Sequence, residues 1–554
     1  MKNTIIWMTG LMLLCTTVMA QTPDNTLLEI YQIKVNEGHA TLLVTKKKDD
    51  PSVVYSSTLI DAGKGNDDAE TIEGVIKAKA GGKLDAVFVT HHDVDHWGGL
   101  TNSSADNDAL LARRCKTSGS LYSEKKLKLY YNHTVTDSTN NNNKTNDNSP
   151  YGLDNWNKQK IKDEAGNKGE NIDIFQWNNQ TADYPLVPAN NGPSFIWLKT
   201  LAVNGYLRDE KDKSKRLLLG SSAPTGTSKK KRPPSFKNNA SAVALITWDD
   251  FSFLIQGDLE AAFTGKYTWQ QRTIDVETQG KSFEIKMTAG RGKTSMINPK
   301  WMSDNNKSQL TWNSTTARTN KATADPQELS LTDPNYIIRM GPGAANKKKK
   351  RKRKDEIEEM VDQLEVQDWV AAPNDWHHRL GQKIAQENGT GKYAYACMAL
   401  VPHHAGLTSN LWFNTDHAII GSNKSNRHNH PNKNSIIALH NTARPKYLYV
   451  TYLLDMSRRK ALNENVFQAY AEGHLPTDDS FITYYLDGKG KSTMHGDNGI
   501  ARNKSYMKGP VGNLTGNSYF QFTVRKADNS NKKEVQVQTD KQALVGWSEC
   551  SGGN

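Results

Sequence analysis

Apolar residues fall in short, β-branched runs separated by long polar stretches, and this pattern predicts a sheet-rich core. Residues 27–35, 40–45 and 53–60 read as strands of an opening meander. Residues 68–80 place Ala69, Ile72, Val75 and Ile76 on one face, so a helix is expected there, stopped by Gly81-Gly82. A buried strand follows at 84–90. Further on, 242–248 and 251–256 predict a hairpin over Asp249-Asp250. Residues 393–401 return to a buried strand, and 418–421, a helix at 434–440 and a strand at 447–453 complete the core. Residues 461–554 read as a C-terminal extension with strands near 481–486 and 519–524. Strands alternating with helices, with chemistry at the turns, suit an α/β sandwich.

Two long polar insertions interrupt this core, at about 102–237 and 265–390. The first carries strand-like runs at 127–131 and 195–203 and an Asn/Thr/Asp-rich run at 134–150 that predicts no fixed structure. The second contains eight consecutive basic residues, 347–354, and then an amphipathic helix at 355–370 with Ile357, Met360, Val361 and Leu364 on one side. A run of like charge repels itself. It is either a solvated insertion or a tether for a polyanion.

The length of 554 residues allows two or three domains, but the order of the motifs described below favours one fold at 21–460 carrying insertions. Residues 1–20 have the build of a secretory signal peptide. Lys2 begins it, 5–18 are mostly apolar, and Val18-Met19-Ala20 offers small cleavage-site residues. The apolar run is too short for a good membrane span, and no second run of the roughly 18 residues a span needs follows it. The mature chain is therefore expected to be secreted or periplasmic, with no transmembrane segment. It would keep Cys115, Cys397 and Cys550, enough for one disulfide at most and without zinc-ligand spacing. Cys397 lies in an apolar run and reads as a core residue. The net charge of +12 points to an anionic partner: nucleic acid, an acidic polymer or a membrane surface.

The densest chemistry is in Thr-His-His-Asp-Val-Asp-His-Trp-Gly-Gly-Leu, residues 90–100. His91, Asp93, Asp95 and His96 are four candidate metal ligands within six residues at the end of a buried strand. Alternation aims His91 and Asp93 at one ion, and Asp95 and His96 reach a second. Asp258 follows a strand and Gly257, where it is either a metal carboxylate or a helix N-cap. His403 and His404 follow the strand at 393–401, and His430 lies in a polar turn before Pro431.

These residues resemble the metallo-β-lactamase superfamily, whose signature is His-x-His-x-Asp-His after a strand. The branch most similar is that of the DNA-uptake competence proteins (ComEC type), where the second His is commonly Asp, as at Asp93. Leu59-Ile60-Asp61-Ala62-Gly63, Asn238-Asn239-Ala240-Ser241, Gly257-Asp258, His403-His404-Ala405-Gly406 and Asn426 to Pro431 resemble further elements of that branch in order. The chain departs from it at His39, where the family usually has Asp, and at Ala405, where Gly usually follows the His pair directly.

The resemblance implies a four-layer αββα metallo-β-lactamase sandwich and a dinuclear site for zinc or manganese. The implied ligands are His91, Asp93, Asp95, His96, Asp258 (bridging) and His403. Asp95 would also orient a metal-bound hydroxide, His404 would face substrate or donate to a nearby carboxylate, and His430 would hold a phosphate or protonate a leaving group. Asp61 is expected to brace the metal loop. An imidazole replaced by Asp93 hardens the first site and leans it toward manganese. The expected activity is that of a secreted phosphodiesterase or nuclease. Hydrolysis of a small ester, lactone or amide is the alternative, and a noncatalytic polyanion-binding protein is a third reading.

Overall fold

In the computed structural model the described residues are 25–91, 93–101, 109–132, 171–187, 195–212, 238–259, 272–278, 281–287, 312–314, 375–388, 394–406, 411, 413–422, 431, 433–453, 475–476, 480–488, 518–528, 530 and 532–550. The expected signal peptide, the basic run at 347–354, the helix at 355–370, His92, His133 and His430 lie outside them.

The opening meander forms as expected, as β1 (Thr26–Ile33), β2 (Thr41–Lys47) and β3 (Val54–Ile60). The helix α1 (Asn66–Ala80) follows, and Gly81 ends it in the left-handed conformation that a residue with a Cβ resists. The short strand β4 (Ala86–Val89) then leads into the ligand loop. It pairs parallel to β3 and to β5 (Leu127–Asn132), which pairs with β6 (Ile172–Trp177). Between β4 and β5 lie the single turn α2 (Val94–Trp97) and α3 (Leu110–Cys115).

The described parts of the first polar stretch supply strands to both large sheets. The strands β7 (Tyr184–Pro185), β8 (Trp197–Val203) and β9 (Tyr206–Leu207) begin a second sheet with the hairpin β10 (Val243–Trp248) and β11 (Phe251–Ile255). The second stretch contains a separate three-stranded sheet, β12 (Arg272–Thr278), β13 (Lys281–Met287) and β14 (Trp312–Ser314). It also contains α4 (Asp375–Glu387), which packs against β8 and β15 (Tyr395–Leu400). Then come β16 (Asn414–Ile420), α5 (Lys433–Ala443), β17 (Tyr447–Leu453) and β18 (Ile482–Gly488), all strands pairing parallel from β11 outward.

The described strands of the expected C-terminal extension join the two large sheets. β18 closes one edge of the second sheet. β19 (Tyr519–Lys526) pairs antiparallel with β1, and β20 (Lys533–Thr539) and β21 (Ala543–Glu549) continue the first sheet beyond it. Each large sheet has nine strands, part antiparallel and part parallel.

Period-two alternation builds the layers. Leu28, Ile30, Leu43, Ile60 and Phe88 of the first sheet pack against Ala244, Ile246, Phe253, Met398 and Tyr449 of the second. Their alternate neighbours Tyr31, Leu42, Leu59 and Val87 face α1 and α3. With α4 and α5 on the second sheet, the result is a mixed α/β sandwich of the metallo-β-lactamase kind, two large sheets between helices. Among the described residues no helix is long and apolar enough to cross a membrane. Cys397 is buried as expected and is also bonded to Cys550, which ties β15 to the end of the first sheet, while Cys115 is free and buried.

Glu73 joins α1 to α3, accepting hydrogen bonds from Lys77, Arg113 and Ser120. Burial alone would raise its carboxyl, but these donors outweigh it and pull it from 4.5 down to about 2. A carboxyl lowered on folding stabilises the native state above its unfolded value and loses that contribution as pH falls through the folded one. Glu73→Gln is thus expected to cost on the order of 1–3 kcal/mol near neutral pH. The gap to the wild type should close between pH 4.5 and about 2 in urea unfolding followed across pH.

Candidate metal centre

The site lies where β3, β4, β11, β15 and β16 end at their carboxyl termini, which parallel pairing brings to one side of the sandwich. Each strand end delivers part of it. β3 delivers Asp61, β4 delivers His91, Asp93, Asp95 and His96, β11 delivers Asp258, and β15 delivers His403 and His404.

Asp61 braces the ligand loop as expected. Its carboxylate accepts from Thr90 N–H (2.8 Å) and Thr90 Oγ–H (2.6 Å), and lies 2.8 Å from His96 Nδ1. A carboxylate in that position holds the proton on Nδ1 and leaves the lone pair of His96 on Nε2. That atom is 3.1 Å from Asp258 Oδ1.

His404 is fixed in the same way. Its Nδ1 lies 2.6 Å from the carbonyl oxygen of Gly421, which only accepts, so Nδ1 donates and Nε2 faces inward, 3.3 Å from Asp95 Oδ2 and 4.0 Å from Asp258 Oδ1. His91 Nδ1 meets Ser241 Oγ at 3.1 Å, and its Nε2 is 3.4 Å from Asp93 Oδ2 and 3.9 Å from Asp258 Oδ2. Ser241 Oγ also accepts from Asp258 N–H, at 3.0 Å. The Ser241 hydroxyl thus orients a candidate ligand from each side of the site.

The expected ligand loop is partly a helical turn. Val94–Trp97 is helical, and Gly98 and Gly99 mark close packing. A Cβ on Gly98 would lie 1.9 Å from Lys64 O, and one on Gly99 2.1 Å from Ala62 O.

Of the two adjacent histidines, it is His404 and not the expected His403 that gathers with Asp95 and His96, with ligand atoms all within 4.8 Å. The cause is backbone conformation. His403, His404 and Ala405 all have φ near +50°, a left-handed path that costs about 1–3 kcal/mol per residue without glycine. It turns His404 into the core and leaves His403 at the rim, a quarter exposed, with Nε2 4.0 Å from Asp258 Oδ2. Two backbone bonds hold this path, His403 N–H to Gly257 O (3.1 Å) and Gly406 N–H to His403 O (2.8 Å).

The electrostatics are those of a ligand set still carrying protons. Burial works against charge on His96, but Asp258 and Asp61 lift its imidazole well above the ordinary value. Burial likewise opposes charge on His404, and Asp95 and Asp258 raise it. Burial would raise Asp95 and Asp258. The His404 and His96 rings hold Asp95 low, and His96 with His403 holds Asp258 well below the usual carboxylate range. A cation entering this cluster must displace those protons, so its affinity depends on pH.

The donor set fits a divalent cation. Among the described residues, His96 Nε2, Asp258 Oδ1 and both ring nitrogens of His39 are buried without an aligned hydrogen bond. Buried polar atoms of this kind need a partner, and imidazole with carboxylate suits zinc or manganese. From sequence His39 stands near the turn of the opening hairpin, either approaching the cleft or serving as a turn residue. It is fully buried, stacked on the His404 ring with centroids 4.2 Å apart.

Residues 53–106, from the start of β3 through the ligand loop, match the family model of the metallo-beta-lactamase superfamily. The match and the sandwich support that superfamily, whose members are generally metal-dependent hydrolases. A search of the curated proteins returned no significant match.

Proposed function

We propose that the protein is an exported, dinuclear metal-dependent hydrolase that cleaves phosphodiesters, with nucleic acid as its preferred polymer. The observation that carries the hydrolase reading is the convergence of His91, Asp93, Asp95, His96, Asp258 and His404, with the inward nitrogens of His96 and His404 fixed by Asp61 and Gly421 O. His91, Asp93 and Asp258 would hold one ion. Asp95, His96 and His404 would hold the other, with Asp258 between the two. Bound there, divalent ions supply a nucleophile at neutral pH and neutralise charge developing on the phosphoryl oxygens. Zinc and manganese both suit the donors, and Asp93 favours the harder ion.

The remaining residues act on substrate and proton. Asp95, ionised and a fifth exposed, can accept a proton from an attacking water. His403 at the rim is held below the ordinary imidazole value chiefly by burial, so a neutral ring is available to meet a substrate oxygen. His430 remains a candidate for phosphate binding or leaving-group protonation. The phosphodiester class rests on the net charge of +12 and on the competence-type order of motifs. Export rests on the signal-like first twenty residues, and the Cys397–Cys550 disulfide suits an oxidising compartment.

A substrate panel tests this reading: bis-p-nitrophenyl phosphate, plasmid DNA, RNA, a lactone and nitrocefin, each with zinc or manganese and with chelator. The expected result is chelator-sensitive turnover of the phosphodiesters. Turnover confined to the lactone or nitrocefin would overturn the substrate class. Replacing residues 347–354 by a Gly/Ser linker is expected to weaken DNA binding and spare bis-p-nitrophenyl phosphate turnover, because the run contains no candidate ligand. The slope of log affinity against log salt should flatten by about 0.9 for each phosphate that the run neutralises. An unchanged slope would make the run a solvated insertion.

A further inference from the structure

We infer that His39 is itself a metal ligand, completing the coordination of the ion shared by Asp258 and His404. The inference rests on the metal centre proposed above and extends it to a position where the resembling family usually has Asp. Three observations carry it. Ligand atoms of His39, Asp258 and His404 lie within 4.8 Å of one another, and all three residues are buried. Among the described residues neither buried ring nitrogen of His39 has a hydrogen-bond partner, and a cation would supply one to the nitrogen that binds it.

The backbone holding His39 is also clamped to the rest of the site. Its N–H donates to Asp95 O (3.3 Å), and its carbonyl accepts from Gly63 N–H (2.9 Å). The preceding Gly38 has φ +99°, and a Cβ there would lie 1.6 Å from Asp95 O, so only glycine permits this approach. A Cβ on Gly421 would come within 2.4 Å of His39 Nδ1, so Gly421 leaves the space that the ring occupies. A bound cation would partner one of the two nitrogens, which packing alone would leave unmet. Packing against His404 is the competing role, since the two rings stack at 17°.

His39→Phe would keep the stacking and lose the donor, whereas His39→Asp would keep a donor and change its element. The probe is cobalt(II) alone, added to the metal-free mature chain, with affinity from titration and the visible ligand-field bands as a readout independent of turnover. His39→Phe is expected to lower the affinity for one equivalent of cobalt by more than the roughly tenfold typical of an outer-shell change, and to alter the bands. His39→Asp is expected to keep the stoichiometry with shifted bands, as oxygen replaces nitrogen. A folded His39→Phe protein with wild-type affinity and bands would overturn the inference and leave His39 a packing residue. If His39→Phe does not fold, unchanged bands in His39→Asp overturn it equally. A wild-type chain that takes up no cobalt would instead strike down the metal centre, and this inference with it.

Discussion

Asp95→Ala is expected to leave the fold intact and to lower phosphodiester turnover roughly a hundredfold or more, since even outer-shell changes at metal sites cost about 10–100-fold. The Asp95 side chain faces His404 Nε2 at 3.3 Å and shares the cluster with His96. Its structural contribution is the backbone carbonyl that accepts from His39 N–H, and alanine retains that. The loss should therefore fall on metal binding and on proton acceptance, not on stability. Metal-replete Asp95→Ala protein is to be assayed beside its circular dichroism spectrum. Wild-type turnover in that protein would remove Asp95 from the site.

The two adjacent histidines should separate under mutation. His404→Ala is expected to weaken binding of one divalent ion at least about tenfold, because the ring removed is buried, held by Gly421 O and turned toward Asp95 and Asp258. His403→Ala is expected to keep the metal and lose turnover, because that ring is at the rim. Metal titration of both variants checks this directly. The opposite pattern, with His403 controlling affinity, would restore the assignment that the sequence suggests.

The different placement of these two rings shows where the sequence stops being informative. His403 and His404 are adjacent and identical in chemistry, and no residue pattern distinguishes them. Three consecutive left-handed residues, stabilised by bonds to Gly257 and within the turn, decide which ring enters the core. His39 is harder still. Its signal is a histidine after a glycine in a turn, and only the pairing of β1, β2 and β3 carries that turn against the ligand loop.

The ligands after β4 and β11 are legible because each closely follows a short buried run rich in apolar residues, with a glycine marking where the chain leaves the sheet. Asp61 is legible as a brace for the same reason. The outer strands are less so. In β20, Val535 and Val537 alternate with Glu534, Gln536 and Gln538, a clean period of two with polar residues outward, and β21 at the edge has weaker alternation. Polar composition makes this segment read as an extension, although its inward valines pack into the inter-sheet core. The helix α4 is hidden likewise, with Trp376, Leu380 and Ile384 buried inside a long polar stretch.

The convergent side chains are those of a centre that would hold divalent metal. Elemental analysis of the purified mature chain, loaded with zinc or manganese and then freed of unbound ion by gel filtration, tests it most directly. About two equivalents per chain are expected in the wild type, falling in Asp258→Ala, which removes the carboxylate that faces His91, His96 and His404. A folded wild-type chain that retains neither metal would contradict it.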